Sequence, residues 1–110
     1  MKLIKSIVRP NKVDDVRDAL EKMSIPGMMV TEVRGHGRQK GHTAIYRGKE
    51  YNVSLLPKVE IEVVVSDAVV EEVIQNIVKA ARTGEIGDGR VFVQPVEHSY
   101  NIRTGEKDSV

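Results

Sequence analysis

Apolar and polar residues alternate most cleanly after Pro57, where Val59, Ile61, Val63 and Val65 point one way while Glu60 and Glu62 point the other. This period of two predicts a strand with one buried face. Val70, Val73, Ile74, Ile77, Val78 and Ala81 then recur at helical spacing in a wide apolar stripe, with Ser66 or Asp67 placed to accept amide hydrogen bonds at the helix start. The same two signals occur earlier. Leu3 to Val8 is rich in strand formers and stops at Arg9-Pro10. Val13, Val16, Leu20 and Met23 follow in helical steps, with Asp14, Asp15, Arg17, Asp18 and Glu21 on the other face, and this helix is expected to end near Pro26-Gly27. Met29 to Arg34 and Val91 to Val96 complete the set as strands. The order is strand, helix, strand, arm, strand, helix, strand.

Two successive β-α-β halves favour an α+β fold, a four-stranded antiparallel ferredoxin-like βαββαβ sandwich, over a doubly wound parallel sheet. Helices then cover one sheet face only. The other must meet water or another subunit, and Leu3, Val30, Val64 and Phe92 are expected on it, which points to self-association. The 110 residues make a single domain, 1–110, able to bury roughly two thirds of its unfolded surface without a metal or disulfide staple.

Between the halves runs an arm, about 37–57, reading GRQKGHTAIYRGKEYNVSLLP: polar, punctuated by glycine and without a period of its own. Such a length in a small domain marks function. Tyr46 and Tyr51 on it suit recognition, since aromatic anchors are favoured at interfaces.

Lys and Arg total 17 against 16 Asp and Glu, a formal charge of +1, so no strong field draws the chain to nucleic acid or anionic lipid. Cysteine is absent, which removes disulfides and thiolate chemistry and makes a reducing cytoplasm the simplest compartment. Lys5 and Arg9 break the amino-terminal apolar run short of a signal segment, and no later run could span a bilayer. His36, His42 and His98 are too scattered for a metal site, and there is no nucleophile elbow or histidine beside a carboxylate motif to suggest an enzyme.

The candidate chemistry lies where glycine is dense, in a loop at about 82–90. Gly84, Gly87 and Gly89 permit close backbone approach, and Arg90 adds a fixed positive charge, a combination suited to phosphate. It is not a P-loop, because Arg90-Val91 opens a strand where a P-loop opens a helix. A glycine-rich turn shaped only by the strand that follows explains the spacing equally well. Lys58 reads alone as a rim lysine, and Glu62 as a water-facing partner of Glu60.

Thr83, Gly87-Asp88-Gly89-Arg90 and Val91-Phe92-Val93 resemble the carboxy-terminal signature of the PII nitrogen-signalling proteins. Tyr46-Arg47-Gly48 followed by Glu50-Tyr51 is similar to their second signature, and the likeness runs almost end to end through Val30-Thr31-Glu32-Val33, Leu56-Pro57-Lys58-Val59 and Ala80-Ala81-Arg82. The resemblance implies a homotrimer with ATP or ADP in each cleft between subunits. It further implies 2-oxoglutarate sensed beside ATP and Mg²⁺, and an arm, the T-loop, that docks on ammonium channels or other nitrogen-metabolism proteins. Membrane contact would come only through a channel partner.

Carried onto this chain, the resemblance implies a phosphate cradle of Gly87, Asp88, Gly89 and Arg90, completed by Gly37, Arg38 and by Arg103 of a carboxy-terminal loop at about 98–110. The base would lie near Glu62 and Val64, against Gly27, Met28 and Met29 of a second subunit. Gln39 would be the Mg²⁺ ligand, and Lys58 would pair with a 2-oxoglutarate carboxylate whose other end meets Lys40 and Gly41. Arg47 matches the arginine that enters a channel mouth, and Tyr51 the tyrosine that some relatives have uridylylated or adenylylated. Met29 stands where many relatives carry Thr or Ser, and Asn101 where arginine is common. The function implied is regulatory, without a catalytic residue, though slow incidental ATP hydrolysis stays open. The competing reading is a PII-like trimer that binds adenine nucleotides with a different small-molecule effector and a transport target.

Overall fold

The computed structural model describes residues 1–25, 27–36 and 55–108, and between them the backbone of two short strands at 43–46 and 49–52. The elements are β1 (Lys2–Val8), α1 (Val13–Lys22), β2 (Met29–Gly35), β3 (Thr43–Tyr46), β4 (Lys49–Asn52), β5 (Leu56–Val65), α2 (Val70–Ala81) and β6 (Gly89–Pro95). Strands β2, β5, β1 and β6 form one sheet in that spatial order, with every neighbouring pair antiparallel. This is the expected ferredoxin-like arrangement.

Both helices pack on the sheet face formed by Ile4 and Val8 of β1 and by Val59, Ile61, Val63 and Val65 of β5. Val16 and Leu20 of α1 and Val73 and Ile77 of α2 close the core from above. The strict alternation in β5 thus translates directly into burial, because successive side chains on a strand point to opposite faces. Ser6 is the exception among these residues: it is fully buried, and its hydroxyl has no hydrogen-bond partner among the described residues.

The opposite face carries Leu3, Lys5 and Ile7 beside Glu60, Glu62 and Val64, with Arg90, Phe92 and Gln94 on the far strand. Val30 does not belong to this set. It pairs with Ile61, on the helix side, while Met29 pairs with Glu62 on the open side. The mixed composition of β2, at a sheet edge, gives its register no alternation to read.

Three further expectations are corrected. The arm is not aperiodic throughout, since β3 and β4 pair as a hairpin from Thr43↔Asn52 to Tyr46↔Lys49. Thr, Ile and Tyr favour extended backbone, and two residues between paired strands is a common hairpin connection. Helix α1 ends before Pro26, because Ser24 adopts a left-handed φ of 58°. The Ile25 N–H then donates to the Leu20 carbonyl and the Ser24 N–H to the Glu21 carbonyl, the paired bonds of a Schellman stop. At the start of α2, neither Ser66 nor Asp67 caps the helix as expected. Residues Asp67–Val69 form a 3₁₀ turn without a side-chain cap at Ser66, and the Asp67 carboxylate instead takes the amino terminus at 3.1 Å and Lys2 Nζ at 3.0 Å. Two cations held in place outcompete one amide for that carboxylate.

Candidate anion-binding site

Helix α2 leaves its axis at Arg82, which is extended, and the chain turns through Thr83–Asp88 into β6. Asp88 organises this turn. One carboxylate oxygen accepts from the Thr83 and Gly84 amides, each at 2.8 Å, and the other from the Thr83 hydroxyl and from Arg9 Nε at 3.2 Å. The Thr83 hydroxyl oxygen in turn accepts from the Glu85 amide at 3.1 Å. These donors, the Thr83 hydroxyl foremost, hold the Asp88 carboxyl well below the usual carboxylate range against the opposing effect of burial.

Glycine is required at the end of the turn by the sheet itself. Gly89 has a φ of 107°, and a Cβ there would sit 1.7 Å from the Ile7 carbonyl oxygen. No side chain fits. The register places Gly89 against Val8 and Arg90 against Ile7, so the turn is seated on the end of β1.

A cleft of about 530 Å³ opens on the other side of the turn. Lys58 and Arg90 bring positive charge to it, Ile7 and Phe92 give it an apolar floor, and Gly35 and His36 bound it where the chain leaves β2. Lys58 Nζ donates to the Gly87 carbonyl at 2.6 Å. Burial pushes the Lys58 amine down, nearby Arg9 acts the same way, and Asp88 opposes them. Arg90 has no ion pair or side-chain hydrogen bond among the described residues. Backbone amides, an unpaired guanidinium and an ammonium around one concavity are the donor set for a polyanion such as a phosphate chain.

The structure therefore brings Lys58, Gly87, Asp88, Gly89 and Arg90 together, although the Asp88 carboxylate is turned inward to the loop. Glu62 and Val64 lie further along β5, ~13 and ~20 Å from Lys58 at the usual rise per residue. Gly27, Met28 and Met29 lie at or just before the start of β2, with Met29 exposed beside Glu62 of the same chain. Arg103 sits on the carboxy-terminal loop. That loop is closed by a Tyr100–Lys107 bridge and by Asn101, whose side-chain oxygen accepts from the Thr104 amide at 3.0 Å. Gly37, Arg38, Gln39, Lys40, Gly41 and Arg47 fall outside the described residues, and Tyr51 is described only as backbone in β4. Among the described residues no cluster of His, Cys, Asp or Glu could hold a metal ion, and no helix is long and apolar enough to cross a membrane.

Sequence reasoning missed Arg9. Its Nη2 donates to the Ile86 carbonyl at 2.9 Å, besides the bond from Nε to Asp88. Position before a proline at a strand end was its only signal, and its partners lie 77 and 79 residues away.

Fold and turn together define the class: a ferredoxin-like α+β domain whose last helix and last strand are joined by a glycine-rich loop built around a half-buried carboxylate hub. Residues 1–106 match the family described as P-II, nitrogen regulatory protein P-II. The chain is 52% identical over 109 residues to the nitrogen regulatory protein P-II of Rhizobium etli, covering 99% of this chain and 97% of that one. It is 57% identical over 107 residues to the protein of the same name from Azospirillum brasilense, covering 97% and 96% of the two chains. With nitrogen regulatory protein P-II 1 of Escherichia coli K12 the identity is 56% over 108 residues, covering 98% and 96%. The chain belongs to the P-II nitrogen regulatory protein family.

Proposed function

We propose that this chain is a cytoplasmic nitrogen-regulatory signal-transduction protein. It binds ATP or ADP, senses 2-oxoglutarate in the presence of ATP and Mg²⁺, and controls target proteins through the arm at about 37–57. The observation that carries the reading is the turn at 82–90, where a glycine-lined backbone, Arg90 and Lys58 border one cleft. That donor set fits a phosphate chain, and Arg90 is available to it.

In this reading the cleft is half of a site completed by a neighbouring subunit of a homotrimer. The open sheet face, with Leu3, Val64 and Phe92, is the surface that the subunits share. Gly27, Met28 and Met29 of one subunit meet Glu62 and Val64 of another around the base, and Arg103 joins the phosphates. Arg38 and the Gly37 backbone complete the cradle. Gln39 is the proposed Mg²⁺ ligand; Mg²⁺ normally keeps few protein ligands and supplies charge neutralisation to phosphate oxygens. Lys58 exchanges its Gly87 carbonyl for a carboxylate of 2-oxoglutarate, with Lys40 and Gly41 at the other end. Because Gln39 to Gly41 form the root of the arm, each ligand set favours a different arm position and so a different target affinity. Targets are ammonium channels, met through Arg47, or enzymes and regulators of nitrogen assimilation, and Tyr51 is the proposed modification point. No bond is broken in this scheme, and the relatives' names describe regulators.

Calorimetric titration tests it. With Mg-ATP present, 2-oxoglutarate is expected to bind, and without ATP to bind poorly. No heat from 2-oxoglutarate in either condition removes the nitrogen-sensing reading. ADP binding in that same protein would then select the alternative of a P-II-like trimer with a different effector and a transport target.

A further inference from the structure

The glycine-rich turn is gripped by two cations placed differently. Lys58 lines the cleft, whereas Arg9 lines neither that cleft nor the smaller apolar groove between the turn and α2. Arg9 nonetheless makes two bonds to the turn, to Asp88 and to the Ile86 carbonyl. We propose that Arg9 is a positioning residue for the anion cradle: it aims a backbone N–H of the turn at the phosphate and neutralises the carboxylate built into the turn. This inference rests on the nucleotide reading above.

The aiming follows from peptide geometry. In a trans peptide the C=O of one residue and the N–H of the next point in opposite directions, and none of the described peptides is cis. Arg9 Nη2 holds the Ile86 carbonyl on its own side, so the Gly87 N–H is turned to the other. That N–H has no acceptor among the described residues. An amide fixed in orientation and left without an acceptor is what an oxyanion needs.

The neutralisation follows from charge. Asp88 is ionised, because its hydrogen bonds all favour the anion. A fixed carboxylate inside a turn that is to receive phosphate opposes the ligand unless a cation cancels it. Arg9 Nε makes an ion pair with Asp88 at 3.2 Å, while Lys58 feels the Asp88 charge only through space. Only a guanidinium serves both acceptors from one rigid plane, whereas a lysine ammonium at the same place supplies the charge and one bond.

The test compares wild type, Arg9→Lys and Arg9→Gln as full chains, with ADP as the titrant and amide resonances of the glycines as a second readout. Arg9→Gln is expected to weaken ADP about tenfold and Arg9→Lys about threefold, the scale of a lost hydrogen bond to a charged group and its partial replacement. In both variants the Gly87 amide signal should move while those of Gly27 and Gly105 stay. Wild-type ADP affinity in Arg9→Gln overturns the proposal. So does an equal loss in both variants accompanied by displacement of Gly27 and Gly105, which marks a general folding role. If Arg9→Gln does not fold, Arg9→Lys decides: a weakened complex with Gly87 alone displaced supports the proposal, and unchanged affinity overturns it. Absence of ADP binding to the wild type is a different result, which removes the nucleotide reading and this inference with it.

Discussion

Ser6 is a polar residue in an apolar layer. It pairs across the sheet with Ile61 and Val91, and its hydroxyl is sealed from solvent without an acceptor or donor among the described residues. A buried group left without a hydrogen bond costs more than its removal, so Ser6→Ala should stabilise the fold by about 1 kcal/mol. Urea denaturation measures this directly, and a lower midpoint for the variant would show that the hydroxyl is satisfied. Arg9 is the converse, a residue whose role the sequence did not show because that role lies in partners brought to it by the pairing of β1 with β6. From the residues alone, Arg90 was legible as a fixed charge beside glycine and Lys58 only as a rim lysine; the resemblance alone gave both a ligand. Their common cleft is a product of register, which no local pattern encodes.

Among the elements, β5 and α2 were readable because each obeys one period along its whole length, and burial follows that period. The arm hairpin was not, since four-residue strands flanked by polar residues carry too few positions to show alternation. The stop of α1 was misplaced because a serine takes the left-handed position that glycine usually marks. The turn at 82–90 carries its own pH signature. Its folded carboxyl is depressed below the ordinary 3.8, so Asp88 stabilises the fold fully above that value and loses its contribution as pH falls below it. Asp88→Asn should therefore lower the melting temperature by a constant amount from about pH 5 upward, with the gap to wild type narrowing in stronger acid. Melting curves across that range check the sign, and a gap that widens on acidification would contradict the assignment.

At the scale of the whole molecule, the decisive feature is the sheet face without helices. Across it run Met29, Glu62, Lys5 and Phe92 in one row, with Val64, Leu3 and Gln94 in the next, and Lys5 Nζ lies 3.6 Å from Glu60. Phe92 and Met29 remain largely exposed in the single chain. A charge placed in that face should oppose assembly far more than folding. On the proposed trimer reading, Leu3→Asp is accordingly expected to give a single chain of 12.3 kDa by light scattering where the wild type gives three, and to lose the proposed ADP binding in the same step. A trimeric Leu3→Asp protein would place the shared surface elsewhere.

The contact of Gly89 with the Ile7 carbonyl separates ancestry from employment. That glycine answers to neighbouring main chain, so a descendant that bound no ligand at all would still be obliged to keep it. Arg90, one step on and with a side chain that pairs with nothing among the described residues, would be at liberty to drift. Of two adjacent letters in the same signature, only the second could bear witness to a ligand.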